Sequence, residues 1–389
     1  MKVGVCIEPF ENSYFANGVR FNALLWYDFF KNCGYDVCFL STKSKLEAEV
    51  DEKNYKYSQE LYKKYKIDNF TKIWADNNIN LKLKEDFKEL YPELFDYDIV
   101  FLVGLLHRPF FDILQSVSKT RIILIDLGST YHNDLNSIIY MKEKTVRLYN
   151  IYDEIWISPH FKFSKQYLKF RYNNDNIYTC PYLWREDLMT VTNIHEDIEK
   201  FVDTINNEET PHLNVGIVEP NLEIAKNFMA PLIICNKAHK IIENVYVCNA
   251  EKFKNYTLFN NLAACTELYK EKKLLIEGRH PFPFLLAKYF NCVVSYVKDC
   301  DLNYIFLECF FCGVPLVHNS PLLKDYGYYY PDLDIDKGVQ QLEYIIKHHN
   351  KEEYKKKHLP LIQKYSVNNP VYIEWAKGRL EGKINYDCE

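Results

Sequence analysis

Two successive series of short apolar runs, each run followed by a helical pattern, constrain this 389-residue chain more than anything else in it. Alternation of that kind is the signature of α/β architecture with parallel strands. The first series places strands at Val3–Ile7, Val37–Leu40, Ile99–Val103, Arg121–Ile125, Glu154–Ile157 and Asn176–Cys180, with an amphipathic helix over Val19–Phe30. The second begins at Leu213–Val218 and continues at Asn244–Cys248, Lys273–Ile276, Cys292–Tyr296 and Pro315–His318. Helical patterns over Asp336–Lys347, Lys351–Lys364 and Val371–Leu380 end the chain. The expected organisation is an N-terminal Rossmann-like domain over 1–185, with a polar helical excursion at 43–96. An interdomain segment at 186–211, a second Rossmann-like domain over 212–367 and a final helical segment over 368–389 follow. Two such halves face each other across a cleft between the carboxyl ends of their sheets, where folds of this class bind ligands.

With 48% hydrophobic and 26% charged residues the chain is a globular one of enzyme size, and a net charge of -5 gives no electrostatic case for nucleic acid as a partner. Its 12 cysteines stand singly in apolar runs such as VGVC and NCVVS, as reduced core thiols do, so a cytoplasmic setting is expected. The opening MKVGVCIEPF reads as a strand, not as a leader, and no apolar run reaches the length of a bilayer span.

Chemistry is concentrated in IFLECFFCGVPLVHN, residues 305–319. Glu308 is the lone carboxylate of an otherwise apolar helix, which a Gly-x-Pro stop ends. Burying it costs several kcal/mol, ~2–7 by analogy with other polar groups, unless something hydrogen-bonds it. The sugar hydroxyls of a bound nucleotide would serve, and so would a buried Lys or Arg. The strand at Leu213–Val218 runs into VEPNLEIAKNF, with Glu219 and Asn221 at its end and Lys226 in the first turns of the next helix. Free backbone N–H groups with a lysine suit a diphosphate; the alternative is a helix cap beside a solvent-facing lysine. Arg279, in IEGRHPFPF, ends another strand of the same half and would clamp a second phosphate or serve only as a loop arginine. His318 and Asn319 follow the last strand and are assigned to donor contacts.

In the first half, His107 follows IVFLVG and is the candidate to position a sugar hydroxyl or move a proton. The loop after the first strand lacks Gly-x-Gly-x-x-Gly, which argues against a dinucleotide dehydrogenase. It keeps a lone Gly18, a point of close backbone approach or an ordinary turn glycine. Asp299-Cys-Asp301 spells Asp-x-Asp, but Asp301 or Asn303 fits better as the cap of the Glu308 helix. Asp332, Asp334, Asp336 and Glu343 have calcium-loop spacing with Lys337 where glycine is required. Cys309 and Cys312 have no second pair nearby. No metal and no cofactor are expected.

The Glu308, Gly313, Pro315 spacing resembles the second half of the Glu-x7-Glu signature of the retaining group 1 glycosyltransferases of the GT-B fold. Cys300 stands where their first glutamate would be. The strings YDEIWISPHF, CPYLW, VEPNLEIAKNFMAPLIIC and GVPLVHNSPLLKDYGYYY resemble a little-characterised bacterial family of GT-B-like proteins. The resemblance implies that the C-terminal helix crosses back to the N-domain. It also implies that Glu308 binds the nucleotide ribose and that Lys226 and Arg279 hold the diphosphate. The activity it implies is metal-independent transfer of a hexose or pentose, retaining or inverting, from a nucleoside diphosphate sugar to a glycan, lipid or protein acceptor held by the N-domain. The missing first carboxylate motivates two alternatives: a catalytically silent protein that binds a nucleotide sugar or a partner, and a nucleotide-sugar epimerase.

Overall fold

The computed structural model describes residues 1–7, 18–41, 97–103, 119–141, 152–190, 193–207, 212–222 and 224–388. The helical excursion expected at 43–96 and His107 lie outside the described residues. The chain divides into two compact units, the first made of Met1–Arg185 with Tyr365–Glu389, the second of Glu186–Lys364.

The first unit is built on a parallel sheet in the order β2-β1-β3-β4-β5-β6: β1 (Lys2–Ile7), β2 (Asp36–Ser41), β3 (Ile99–Val103), β4 (Arg121–Asp126), β5 (Glu154–Ile157) and β6 (Ile177–Thr179). The run IVFLV of β3 is buried at every position, as a central parallel strand requires. Aromatic side chains fill one face: Phe30 stacks on Phe101 at 4.2 Å, and Trp26, Phe29 and Trp156 are fully buried around them.

The final helix, Pro370–Leu380, belongs to this unit. Asn369 caps it, accepting from the Val371 N–H at 3.0 Å, and Pro370 occupies its first turn, where no N–H is needed. Two contacts seat it on the sheet. Trp375 packs edge-on against Trp156 at 4.9 Å, and Arg379 Nε donates to buried Glu154 Oε2 at 2.9 Å. Glu154 also pairs with Arg121 and accepts from Trp156 Nε1 at 3.0 Å.

The second unit carries a parallel sheet in the order β12-β11-β10-β7-β8-β9: β7 (Leu213–Ile217), β8 (Ile242–Val247), β9 (Leu274–Ile276), β10 (Cys292–Val294), β11 (Leu316–His318) and β12 (Tyr328–Tyr329). Its first strand, β7, lies between β8 and β10, so the order reverses there and opens a crevice at the carboxyl ends of β7 and β10. The stretch 186–211, read from the sequence as a linker, holds the helices Asp187–Thr190 and Ile194–Asn207 of this unit. Lys351 pairs with Asp203 at 2.8 Å, tying the second of these to the Lys351–Lys364 helix. Among the described residues no helix is long and apolar enough to cross a membrane.

Candidate functional site at the carboxyl edge of the second sheet

Glu308 sits on the Tyr304–Cys312 helix, whose Phe306, Leu307, Cys309, Phe310 and Cys312 are all buried. Gly313 closes the helix in the left-handed conformation at φ 72°, and the chain turns directly into β11. Glu308 is 6% exposed, and among the described residues no ion pair or hydrogen bond acts on its carboxyl. Burial alone pushes its pKa up to about 8. The buried Lys or Arg that would have made it an ordinary internal ion pair is absent from the described residues. Asn303 occupies the cap position of this helix without a side-chain cap bond.

The loop after β7 is more rigid than its composition suggests. Asn221 adopts φ 52°, a left-handed conformation that asparagine tolerates. Its Nδ2 donates to the carbonyls of Glu219 at 2.9 Å and Cys248 at 3.1 Å, and its Oδ1 accepts from the Phe228 N–H at 2.9 Å. These three bonds tie the loop to itself and to the end of β8, which makes Asn221 a staple. Lys226 is not in the first turns of a helix, as the sequence suggested. The helix starts only at Met229, and Lys226 forms an antiparallel bridge with Val297 while its side chain stays half-buried. The run from Glu219 to Phe228 contains Pro220 and the left-handed Asn221, which together keep it from helical geometry.

Glu219 is fully buried. The Ser295 hydroxyl donates to its Oε1 in a short bond across β7 and β10, and its Oε2 meets no partner. Desolvation pushes its pKa up to about 7, against the pull of Ser295, Lys226 and the Tyr296 N–H. Asn249, at the end of β8, donates to the carbonyls of Val218 at 3.2 Å and Glu219 at 3.0 Å, and its Oδ1 is likewise buried without a partner. Sequence reasoning missed Ser295 and Asn249. A polar residue closing an apolar strand, as Ser295 closes CVVS, was the available signal.

The remaining candidates divide. Arg279 is exposed beyond the end of β9 in the same sheet. His318 is fully buried with both ring nitrogens committed: Nε2 donates to the Tyr326 carbonyl at 2.9 Å and Nδ1 accepts from the Ser320 N–H at 3.2 Å. Burial lowers its pKa to about 4. The Asn319 amide is committed to the main chain of Val297. The side-chain bonds of these two residues, assigned from the sequence to donor contacts, run to neighbouring main chain. Gly18 begins the Gly18–Asn32 helix of the first unit, just beyond residues that are not described. Among the described residues no group of three or more His, Cys, Asp or Glu could hold a metal ion.

The fold is shared with solved structures. A glycosyltransferase from Rickettsia africae is 11% identical, with 98% of each chain covered and a TM-score of 0.57. The Anabaena protein HepE, solved in complex with UDP and glucose, is 10% identical over 99% of this chain and 100% of its own, with a TM-score of 0.58. Sucrose-phosphate synthase from Thermosynechococcus elongatus is 10% identical over 98% of each chain, with a TM-score of 0.55. At such identities the likeness is one of fold: two Rossmann-like α/β domains of the GT-B kind. No curated protein matches the chain in sequence. A family model described as a protein of unknown function, DUF2827, matches residues 61–380, and the chain belongs to that family.

Proposed function

We propose that this protein is a glycosyltransferase whose second unit binds a nucleoside diphosphate sugar. Glu308 holds the nucleotide ribose, and Lys226, with Arg279, meets the diphosphate. The observation that carries the reading is Glu308: a buried carboxyl with no partner among the described residues, on a helix at the carboxyl edge of a parallel sheet. An unpaired polar group of that kind costs roughly 1–3 kcal/mol or more, and a pair of ribose hydroxyls would repay it. Supporting it are the GT-B-like fold, the solved complex of HepE with UDP and glucose, and the Glu-x4-Gly-x-Pro spacing shared with the retaining group 1 transferases. Lysine and arginine supply the positive charge that a diphosphate needs, so the transfer proceeds without a divalent cation. The acceptor, a glycan, lipid or protein, is assigned to the first unit, with His107 as the residue that moves its proton. All 12 cysteines are unbridged, in keeping with a cytoplasmic protein.

A second reading rests on Cys300, fully buried eight residues before Glu308, where the resembled transferases carry a carboxylate. Without that carboxylate the protein binds a nucleotide sugar and does not turn it over, or interconverts free donors as an epimerase. Release of nucleoside diphosphate from UDP-, GDP- and TDP-sugars, with and without EDTA, separates the readings. Turnover that survives EDTA supports the transferase. Binding without turnover supports the silent protein, product sugar nucleotide without release supports the epimerase, and turnover restored only by magnesium or manganese contradicts the metal-free assignment.

A further inference from the structure

Two neighbouring helices of the second unit are apolar on both of their faces. Met229–Lys237 buries Ala230, Ile234 and Cys235 and leaves Met229 and Ile233, four residues apart, in solvent. Thr257–Ala264 repeats the pattern: Phe259 and Ala263 are buried, while Leu258 and Leu262, again four apart, are exposed. A surface helix ordinarily turns polar residues to water opposite its buried stripe, so a second apolar stripe marks a face open to packing. The two helices are held together. Phe228, just before the first, packs on Phe253 at 5.9 Å and on Phe259 at 5.4 Å. Asn236, near the end of the first, accepts from the Glu267 N–H at 2.7 Å, just beyond the second. Lys252 Nζ donates to the Asn221 carbonyl at 3.1 Å, which ties the loop carrying exposed Leu222 and Ile224 to the same cluster. All six of these outward side chains are between 39% and 72% exposed.

We propose that these six side chains form the centre of a two-fold contact with a second copy of this chain. Charge selects the partner. The two helices carry a single charged residue between them, Lys237, and it pairs with Asp336 of the same unit. The Glu251–Asn255 turn ahead of the second helix adds charges of both signs, Glu251 with Lys252 and Lys254. An anionic lipid surface is recognised by a helix whose polar face is rich in Lys and Arg, and neither helix has one. A strongly charged partner finds nothing on them to pair with. Two identical uncharged faces, by contrast, meet without like-charge repulsion, as an isologous contact requires. Size agrees. At roughly 120 Å² for a fully exposed Leu, Ile or Met side chain, six half-exposed ones offer on the order of 400 Å². A standard interface buries ~800 Å² on each partner, a little over half of it apolar. The i, i+4 ridges on both helices also suit ridge-into-groove packing against the same helices of the second copy.

The test is sedimentation velocity of the full chain at concentrations up to about 100 µM, because interfaces of standard size hold with Kd values from micromolar to picomolar. The wild type is expected to sediment as a dimer. Ile233→Glu and Leu258→Glu each place a charge at the centre of the contact and remove nothing from the core. Each should raise the dimer Kd about tenfold or more, with an unchanged far-ultraviolet circular dichroism spectrum. Leu333→Glu, at an exposed position outside the two helices and their loop, should leave the dimer as it is. A wild type that stays monomeric over the whole range overturns the proposal, and so does a dimer that survives in both helix variants. Flotation with vesicles of phosphatidylglycerol and phosphatidylcholine is run on the same proteins. Vesicle binding by a monomeric wild type that both helix variants lose assigns the face to a lipid surface and overturns the second-copy contact. None of these outcomes depends on whether the protein binds a nucleotide sugar.

Discussion

The side-chain amide of Asn319 pairs with the main chain of Val297, accepting from its N–H and donating to its carbonyl, both at 2.8 Å. It continues the ladder between β10 and β11 one step beyond the last backbone pair, on the residue that also bridges to Lys226. Replacement of Asn319 by Ala leaves a buried donor and a buried acceptor unmet. It should therefore destabilise the protein by about 1–3 kcal/mol, read as a lower midpoint in urea unfolding. An unchanged midpoint would show that water or a rearranged loop satisfies both groups.

For Glu308, stability and function are expected to oppose each other. Burial holds its carboxyl protonated to about pH 8 in the folded protein, whereas in an unfolded chain it titrates near the ordinary glutamate value of 4.5. Its contribution is therefore most favourable below 4.5 and is lost as pH rises toward 8. Glu308→Gln removes that loss. Thermal unfolding should show the variant more stable than the parent at pH 8, by an amount on the order of a few kcal/mol, with the gain shrinking toward pH 5. A gain of the same size at both pH values would mean that the carboxyl is not held neutral.

Three histidines act in the other direction. His318, His349 and His358 are buried, and burial lowers each to a pKa of about 4. Each is held in one neutral tautomer. His349 Nε2 donates to the Gly313 carbonyl while Nδ1 accepts from the Tyr328 hydroxyl, and His358 accepts from the Gly327 N–H while donating to the Tyr354 carbonyl. A second proton on any of them would displace a donor already in place. The unfolded chain binds those protons near 6.5, so stability falls as pH drops from about 6.5 toward 4. Unfolding of the second unit should steepen across that window, and His349→Gln should flatten the slope. A slope unchanged in that variant would remove His349 from the account.

In the first unit the buried Glu154 accepts from Arg379 and Trp156 and pairs with Arg121. Arg379→Ala removes the bond that seats the final helix and leaves the carboxylate with one cation. A loss of about 3 kcal/mol is expected in chemical denaturation, in the range for breaking a buried pair. Arg379→Met, with no charge but a comparable chain, should still lose most of it. A loss under 1 kcal/mol in both would mean that Arg121 alone neutralises Glu154.

Much of this fold is legible in the chain because its signals are local. The apolar runs of β3 and β5 fall at Ile99–Val103 and Glu154–Ile157 as read, and the Gly-x-Pro after Glu308 stops a helix at Cys312. Both expectations need only periodicity and the backbone freedom of Gly313. The burial of Glu308 was legible for the same reason. What the sequence hides is partnership at a distance. Nothing near His318 or Asn319 reveals that their side chains would bond to the main chain of Tyr326 and Val297. The linker reading of residues 186–211 met helices there because charged surface positions mask the buried face of Ile198, Val202 and Ile205. Lys226 was misplaced because a loop stapled by a left-handed asparagine has no periodicity to read.

The central claim, that Glu308 receives the ribose of a nucleoside diphosphate sugar, is tested most directly by calorimetric titration of UDP-, GDP- and TDP-sugars onto the wild-type protein and Glu308→Gln. At least one ligand is expected to bind the wild type, and the variant, still folded, to bind it about 0.5–1.5 kcal/mol more weakly, up to roughly a tenfold rise in Kd. A variant that binds as tightly as the parent, or a parent that binds none of them, contradicts the account.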